Sequence, residues 1–204
     1  MNRLAAVRIK VIIPAYNEEQ SIGRVIKDIP EIVEEVIVAN NGSKDNTAEV
    51  ALAAGATVVH QPKPGYGNAC LKGLSHVKEQ KIKPDIIVFL DGDYSDYPEQ
   101  LTEVVAPILA EQADLVIGSR ALGERASGSM TFPQVFGNWL ATTLMRWFYG
   151  AKFTDLGPFR AIRWESLMDL NMQDQTYGWT VEMQVKAAKQ QLRFTEVPGN
   201  YKKR

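Results

Sequence analysis

The chain has one cysteine, Cys70, and two histidines, His60 and His76. A disulfide framework and a cysteine-rich zinc module are therefore excluded, and nothing marks Cys70 as a nucleophile, so it is expected to pack in a helix. Both histidines lie in the first part of the chain, which excludes a late triad histidine and a histidine-rich metal centre. An excess of one charge sign is also missing: 23 Lys and Arg face 24 Asp and Glu, for a net charge of −1. That balance gives no electrostatic case for a nucleic-acid partner. No stretch approaches the roughly 20 consecutive apolar residues of a membrane-spanning helix. The segment Met1–Lys10 carries no long apolar run ending in a small-residue cleavage site, so no secretory signal is expected and a reducing cytoplasm is the default.

What is present is 204 residues, 45% hydrophobic and 23% charged, enough chain to bury a core without cross-links. Short β-branched runs bounded by polar or turn residues recur at Val7–Ile13, Glu35–Ala39, Ala56–His60, Asp85–Leu90 and Asp114–Gly118. Continuous apolar runs of this length suit strands buried on both faces. Helical patterns separate them. Asn17-Glu18-Glu19-Gln20 reads as a capping box with Asn17 at the N-cap. From Pro98 onward, Leu101, Val104, Val105, Ile108 and Leu109 share one helical face, with Pro107 a point of kinking. Alternation of this kind predicts an α/β fold with a mostly parallel sheet flanked by helices. After Gly118, residues Ala121 to Thr131 read as a mobile loop. An aromatic helix follows from Pro133 to Tyr149, whose bulky residues are expected to face the core, with a lipid or partner surface as the alternative. Another helix starts near Trp179, and a strand covers Leu192 to Val197. No repeat, low-complexity tract or linker appears, so residues 1–204 are read as a single domain.

The chemistry concentrates at the strand ends. Phe89-Leu90-Asp91-Gly92-Asp93 is an Asp-x-Asp at the end of an apolar strand. In parallel sheets ligands bind beyond the carboxyl ends of strands, and two carboxylates there can share a hard divalent ion with a diphosphate. The same residues also suit a plain strand-end turn. Two further strands, running into Pro14-Ala15-Tyr16-Asn17-Glu18 and Asn40-Asn41-Gly42, would deliver an aromatic ring and side-chain amides to the same edge. A ring to stack on, amides for a base edge and carboxylates for a metal together suit a nucleoside diphosphate. The glycine-rich stretch Pro62–Ala69 before another helix reads equally as an anion site or a tight turn.

These blocks, in this order and spacing, resemble the family-two glycosyltransferases of the GT-A fold, and the resemblance covers nearly the whole chain. Gly118-Ser119-Arg120 follows the next strand as in many members, Asp155-Leu156-Gly157-Pro158-Phe159-Arg160 is similar to their Asp-x-x-Gly-Phe-Arg segment, and Trp179-Thr180-Val181-Glu182-Met183 resembles their late helix with its Glu. The nearest branch is that of the dolichyl- and polyprenyl-phosphate mannose and glucose synthases. The resemblance implies a nucleotide-sugar-binding half over residues 1–118 and an acceptor-binding half over 119–204. It implies that Pro14, Ala15, Tyr16, Glu18, Asn40, Asn41, Gly42, Asp91 and Gly92 border the nucleotide. Asp93, with Asp91, would hold Mg or Mn, and Glu182 would be a cleft carboxylate. Arg120 and Arg160, within family motifs, would meet phosphate, while Arg125, beside the mobile loop, reads equally as a phosphate contact or as a solvated surface residue. It further implies transfer of a hexose with inversion, at the inner face of the cytoplasmic membrane, with peripheral membrane association and a homodimer both compatible.

Three departures from the family pattern matter. Asn40 stands where most relatives have Asp, which puts base discrimination in doubt. Ser95 stands where some mannose synthases have a metal-facing Gln. The chain stops at Tyr201-Lys202-Lys203-Arg204, where relatives continue through a basic, glycine-containing segment that helps close the site. Relatives acting on hydroxyl groups often carry a second carboxylate after the late-helix Glu. Here that position is Met183, which favours an already ionised phosphate acceptor such as a polyprenyl phosphate. Asp155 remains a candidate base, and a hydroxyl acceptor in cell-envelope polysaccharide synthesis remains an alternative. A non-catalytic nucleotide-sugar-binding module is the rival of a different class. A sugar-phosphate nucleotidyltransferase is disfavoured, because no glycine-rich basic loop follows the first strand.

Overall fold

The computed structural model describes residues 7–124, 126 and 132–203. Its elements in chain order are β1 (Ile9–Ala15), α1 (Ile22–Asp28), β2 (Val33–Asn40), α2 (Thr47–Ala53), β3 (Thr57–His60), α3 (Tyr66–Glu79), β4 (Ile86–Phe89), α4 (Leu101–Leu109), β5 (Leu115–Ser119), α5 (Phe132–Tyr149), β6 (Arg160–Arg163), α6 (Trp164–Leu170), α7 (Trp179–Lys189) and β7 (Phe194–Pro198). The strands form one sheet of order β3-β2-β1-β4-β6-β5-β7. Every pairing is parallel except those of β6, which runs antiparallel to both β4 and β5.

Side chains alternate across the sheet because the strand period is two. Val11, Ile13 and Ala15 of β1 join Val88 and Val116 in a core capped by α1, α2 and α4, whereas Ile12 joins Ile87, Phe89 and Ile117 in a second core capped by α3, α6 and α7. Cys70 is fully buried in that second core. Trp179, at the start of α7, packs edge-on against Phe89 with ring centroids 5.6 Å apart. Two buried layers on one sheet explain why the central strands read as unbroken apolar runs.

The structure departs from the sequence expectations at four places. Asn17 is not a helix cap: its φ is 56°, and its amide oxygen accepts from the Lys44 backbone N–H at 2.8 Å. It ties the β1–α1 connection to the β2–α2 connection, and α1 begins five residues later, after Ser21. Leu109, expected on the buried face of α4, is 45% exposed at the helix end. Strand β6 has only four residues with arginine at both ends, so no apolar run announced it. The aromatic helix α5 is present, but the core expectation for it is overturned. Met145 and Thr142 are buried, whereas Phe136, Trp139, Trp147 and Phe148 are 50–77% exposed. A helix lying on the outside of the sheet layers buries one narrow stripe and leaves the rest bare. Of the Ala121–Thr131 segment read as a mobile loop, residues 121–124 carry neither helix nor strand; apart from Ala126, the remainder, Arg125 included, lies outside the described residues.

One ion pair is built into the sheet itself. Lys10 of β1 is 6% exposed, and its Nζ lies 2.7 Å from Glu35 Oε2 on β2. Thr57 and Gln80 also donate to this carboxylate, at 2.9 Å each. Burial alone would raise the Glu35 pKa, but the bonds from Lys10, Gln80 and Thr57 outweigh it and hold the pKa at about 2. A carboxyl depressed in the folded state stabilises above its unfolded pKa and loses that contribution as pH falls towards the folded value. Wild type should therefore exceed Glu35→Gln in denaturant midpoint at neutral pH. The advantage should shrink between about pH 4.5 and about pH 2, as measured by urea unfolding across that range.

Candidate functional site

A cavity of about 380 Å³ opens at the carboxyl edge of β1, β2 and β4. The sheet register puts it there. Ala15, the last residue of β1, pairs with Asn40, the last of β2, and β4 pairs on the other side through Phe89. The chain leaving β1 supplies Pro14, Ala15, Tyr16 and Glu18 to the wall, the β2 exit supplies Asn41, and the β4 exit supplies Asp91, Gly92 and Asp93. Pro64, Gly65, Tyr66 and Ala69 at the start of α3 and Tyr177 before α7 complete it.

Each strand exit is braced. Asn41 donates both amide hydrogens, to the Gln61 and Lys63 carbonyls at 3.0 and 2.7 Å, and accepts from Gly65 N–H at 2.8 Å. Its side chain thus shapes the loop into α3. Asn40, 6% exposed, is off the cavity wall; its oxygen accepts from Ser43 N–H at 3.0 Å and closes a turn in which Gly42 takes φ 76°. Glu18 is set by its backbone N–H donating to Thr47 Oγ1 at 2.8 Å.

Asp91 is the most perturbed acid of the wall. Burial and then the charge of Asp93 push its pKa up to about 7, against the opposing hydrogen bond from Tyr66. That bond runs from the Tyr66 hydroxyl to Asp91 Oδ1 at 2.9 Å. Two carboxylates crowded at one strand end favour a bound cation over bulk water as their partner. Among the described residues no group of three or more His, Cys, Asp and Glu is arranged to enclose a metal. The donor set is instead two hard carboxylates open to a cavity, which fits Mg or Mn completed by diphosphate oxygens and water. Asp96 lies deeper, 4% exposed with Oδ2 unpartnered. Burial, followed by the charges of Asp91 and Asp93, raises its pKa well above the usual carboxylate range.

Residues 10–170 match the model of the family described as glycosyl transferase family 2. The chain belongs to that family. It is 34% identical over 193 residues to glycosyltransferase AglJ of Haloferax volcanii, covering 94% of this chain and 62% of that relative. It is also 30% identical to the undecaprenyl-phosphate mannosyltransferase of Micrococcus luteus, covering 97% of this chain and 85% of the other. Among solved structures, glucosyl-3-phosphoglycerate synthase from Mycobacterium tuberculosis, in complex with Mn2+, UDP and glucosyl-3-phosphoglycerate, superposes with TM-score 0.73 at 25% identity, over 97% of this chain and 71% of that one. The α/β sheet with its antiparallel β6 is thus the GT-A fold of a family-2 glycosyltransferase, and the relatives include the polyprenyl-phosphate branch.

Several residues that the family resemblance marked stand away from the cavity of this family-2 chain. Arg160 is fully buried, and its guanidinium donates to the carbonyls of Leu156, Gly157 and Thr180. The expectation of a phosphate contact there is corrected: backbone oxygens consume its donors, and burial lowers its pKa to about 10. Arg120 and Asp155 form a two-pronged ion pair, with Nε–Oδ2 and NH2–Oδ1 both 2.7 Å, and the Arg120 backbone N–H adds a third bond at 2.9 Å. The carboxylate offered as a base is therefore occupied by a guanidinium. The Glu182 carboxylate accepts from Gln173 and Asp174 N–H groups at 2.7–3.1 Å and pairs with Lys186 at 2.7 Å. It holds the segment that carries Tyr177. Met183 is fully buried in the core. The first amides of α3 are likewise spent: Gly67 and Asn68 N–H donate to the Thr176 and Gln175 carbonyls at 2.9 and 3.0 Å, which removes the anion-site reading.

Tyr66 and Tyr177 were missed as wall residues. The Gly65-Tyr66-Gly67 spacing was the available signal, since a Cβ on either glycine would collide with the 174–175 backbone carbonyls. For Asp155, the buried pairing predicts a structural cost: Asp155→Asn should lower unfolding free energy by about 3 kcal/mol, because it strands the Arg120 guanidinium. Denaturant titration would read this, whereas an unpaired base would give a much smaller loss.

Proposed function

We propose that this family-2 glycosyltransferase moves a hexose from a nucleotide diphosphate sugar, of the UDP-glucose or GDP-mannose type, onto a polyprenyl phosphate with inversion at the anomeric carbon. The observation that carries the reading is the single cavity shared by Tyr16, Glu18, Asn41, Asp91 and Asp93. The donor's base lies against Tyr16, its ribose near Glu18 and Gly92, and its diphosphate towards Asp93. A Mg or Mn ion held by Asp93 and Asp91 would neutralise the departing diphosphate. Asp91, pushed towards neutrality in the free protein, would be held ionised by a cation at this site. Residues 1–118 form the donor half and 119–204 the acceptor half, with Tyr177 the point at which the second half reaches the donor.

The undecaprenyl-phosphate mannosyltransferase relative supports a lipid phosphate as acceptor. So does α5, whose exposed Trp139, Leu140, Trp147 and Phe148 are accompanied by exposed Arg146 and Lys152. A helix with large apolar side chains beside basic ones suits the plane of an anionic lipid surface. No helix among the described residues is long and apolar enough to cross a membrane; the proposed α5 contact is a peripheral one, at the cytoplasmic face.

Incubation with Mn, each nucleotide sugar and a polyprenyl phosphate should release nucleoside diphosphate from one donor. Asp93→Ala should cut that release at least a hundredfold while leaving the thermal melt unchanged. Full activity in the variant would remove the metal role, and release from no donor with any acceptor would leave a binding module. Separately, Trp147→Ser with Phe148→Ser should weaken binding to vesicles containing phosphatidylglycerol by about tenfold or more, from the apolar area lost. Equal co-sedimentation of variant and wild type would dissociate α5 from lipid.

A further inference from the structure

Among the described residues, Tyr177 is the one residue of the cavity wall contributed by residues 119–204, and it is 87% exposed. The ring is open, yet the segment beneath it is firmly held. Glu182 accepts the Gln173 and Asp174 N–H groups, and Asp174 Oδ1 accepts from Thr176 N–H at 2.8 Å. The Gln175 and Thr176 carbonyls bond to the first turn of α3, and Lys63 Nζ donates to Gln175 Oε1 at 3.0 Å. Residues 63–65, on which this segment rests, are the loop that Asn41 braces. The chain of contacts therefore ties Tyr177 to the β2 side of the cavity.

Tyr16 is the other largely exposed ring of the wall, at 55%. It sits on the connection from β1 into α1. Both phenols border the same cavity, one carried by the β1 exit and the other by the segment before α7. Tyr66, the third aromatic, is occupied by its bond to Asp91. We infer that Tyr177 is the second face of a nucleobase slot whose first face is Tyr16, so that the base is held between two phenol rings and Glu182 acts as a positioning residue for the Tyr177 segment. Stacking on an aromatic face tolerates any base, so this pair sets affinity for the nucleoside and leaves the choice of base to edge contacts.

The inference rests on the nucleotide-sugar reading, and calorimetric titration of the full chain separates the two. With Mn present, wild type should bind UDP or GDP. Tyr177→Ala should weaken that binding about tenfold or more, and Tyr177→Phe should restore it to within about twofold. Binding of Mn-pyrophosphate, which has no base, should be the same in all three. Glu182→Gln should reproduce part of the Tyr177→Ala loss for the nucleotide and none for pyrophosphate. Nucleotide binding by Tyr177→Ala equal to wild type overturns the slot while leaving the nucleotide-sugar reading intact. An equal loss for pyrophosphate also overturns it, because the ring would then act on the phosphates. Failure of wild type to bind any nucleoside diphosphate removes both.

Discussion

The alignment of three parallel strand ends governs this molecule. β1 lies between β2 and β4 with every backbone bond of its centre paired, so its exit cannot move independently of theirs. Parallel strands present their carboxyl ends on one edge, and the residues that leave the sheet there converge without any long-range loop. Tyr16, Asn41 and Asp91 meet for that reason. The crowding of Asp91 and Asp93 follows from the same constraint, since both acids leave β4 before any helix can separate them.

The second half of the chain serves this edge mainly by support. Arg160, Arg120, Asp155 and Glu182 sit in motifs that a family reading assigns to chemistry, yet their polar atoms are consumed within the protein. Arg160 locks the turn before β6 to the start of α7, and the Arg120–Asp155 pair joins the end of β5 to the segment before that turn. Glu182 fixes the strip that closes the cavity from the α7 side. Such buried polar groups bring specificity of arrangement rather than net stability, because each guanidinium or carboxylate must recover its lost hydration from a fixed partner.

Much of this was legible beforehand. The runs at Glu35–Ala39, Asp85–Leu90 and Asp114–Gly118 became β2, β4 and β5 with bounds shifted by one or two residues, because strands buried on both faces must be apolar throughout. The strand-end blocks at Pro14–Glu18, Asn41 and Asp91–Asp93 fell on one cavity for the reason of parallel order. What failed was local. Asn17 has the composition of a cap and the position of a cross-link between two loops, a distinction set by Lys44, 27 residues away. β6 was hidden because it begins and ends on arginine, and the carbonyls that let Arg160 be buried are supplied only by the folded chain. The inward reading of α5 failed because aromatic spacing states that a face is apolar, not what lies against it.

The amino-acid sequence by itself determined the alternation of strands and helices up to residue 118, the family and the three strand-end blocks, because these depend on hydrophobic period and on motif spacing. Only the tertiary structure decided which polar side chains remain open to a ligand. Arg160 and Tyr177 show the contrast: the charged residue is enclosed and the aromatic one is left exposed. That outcome depends on which backbone carbonyls and amides come within hydrogen-bonding distance, and those partners lie up to 109 residues apart along the chain.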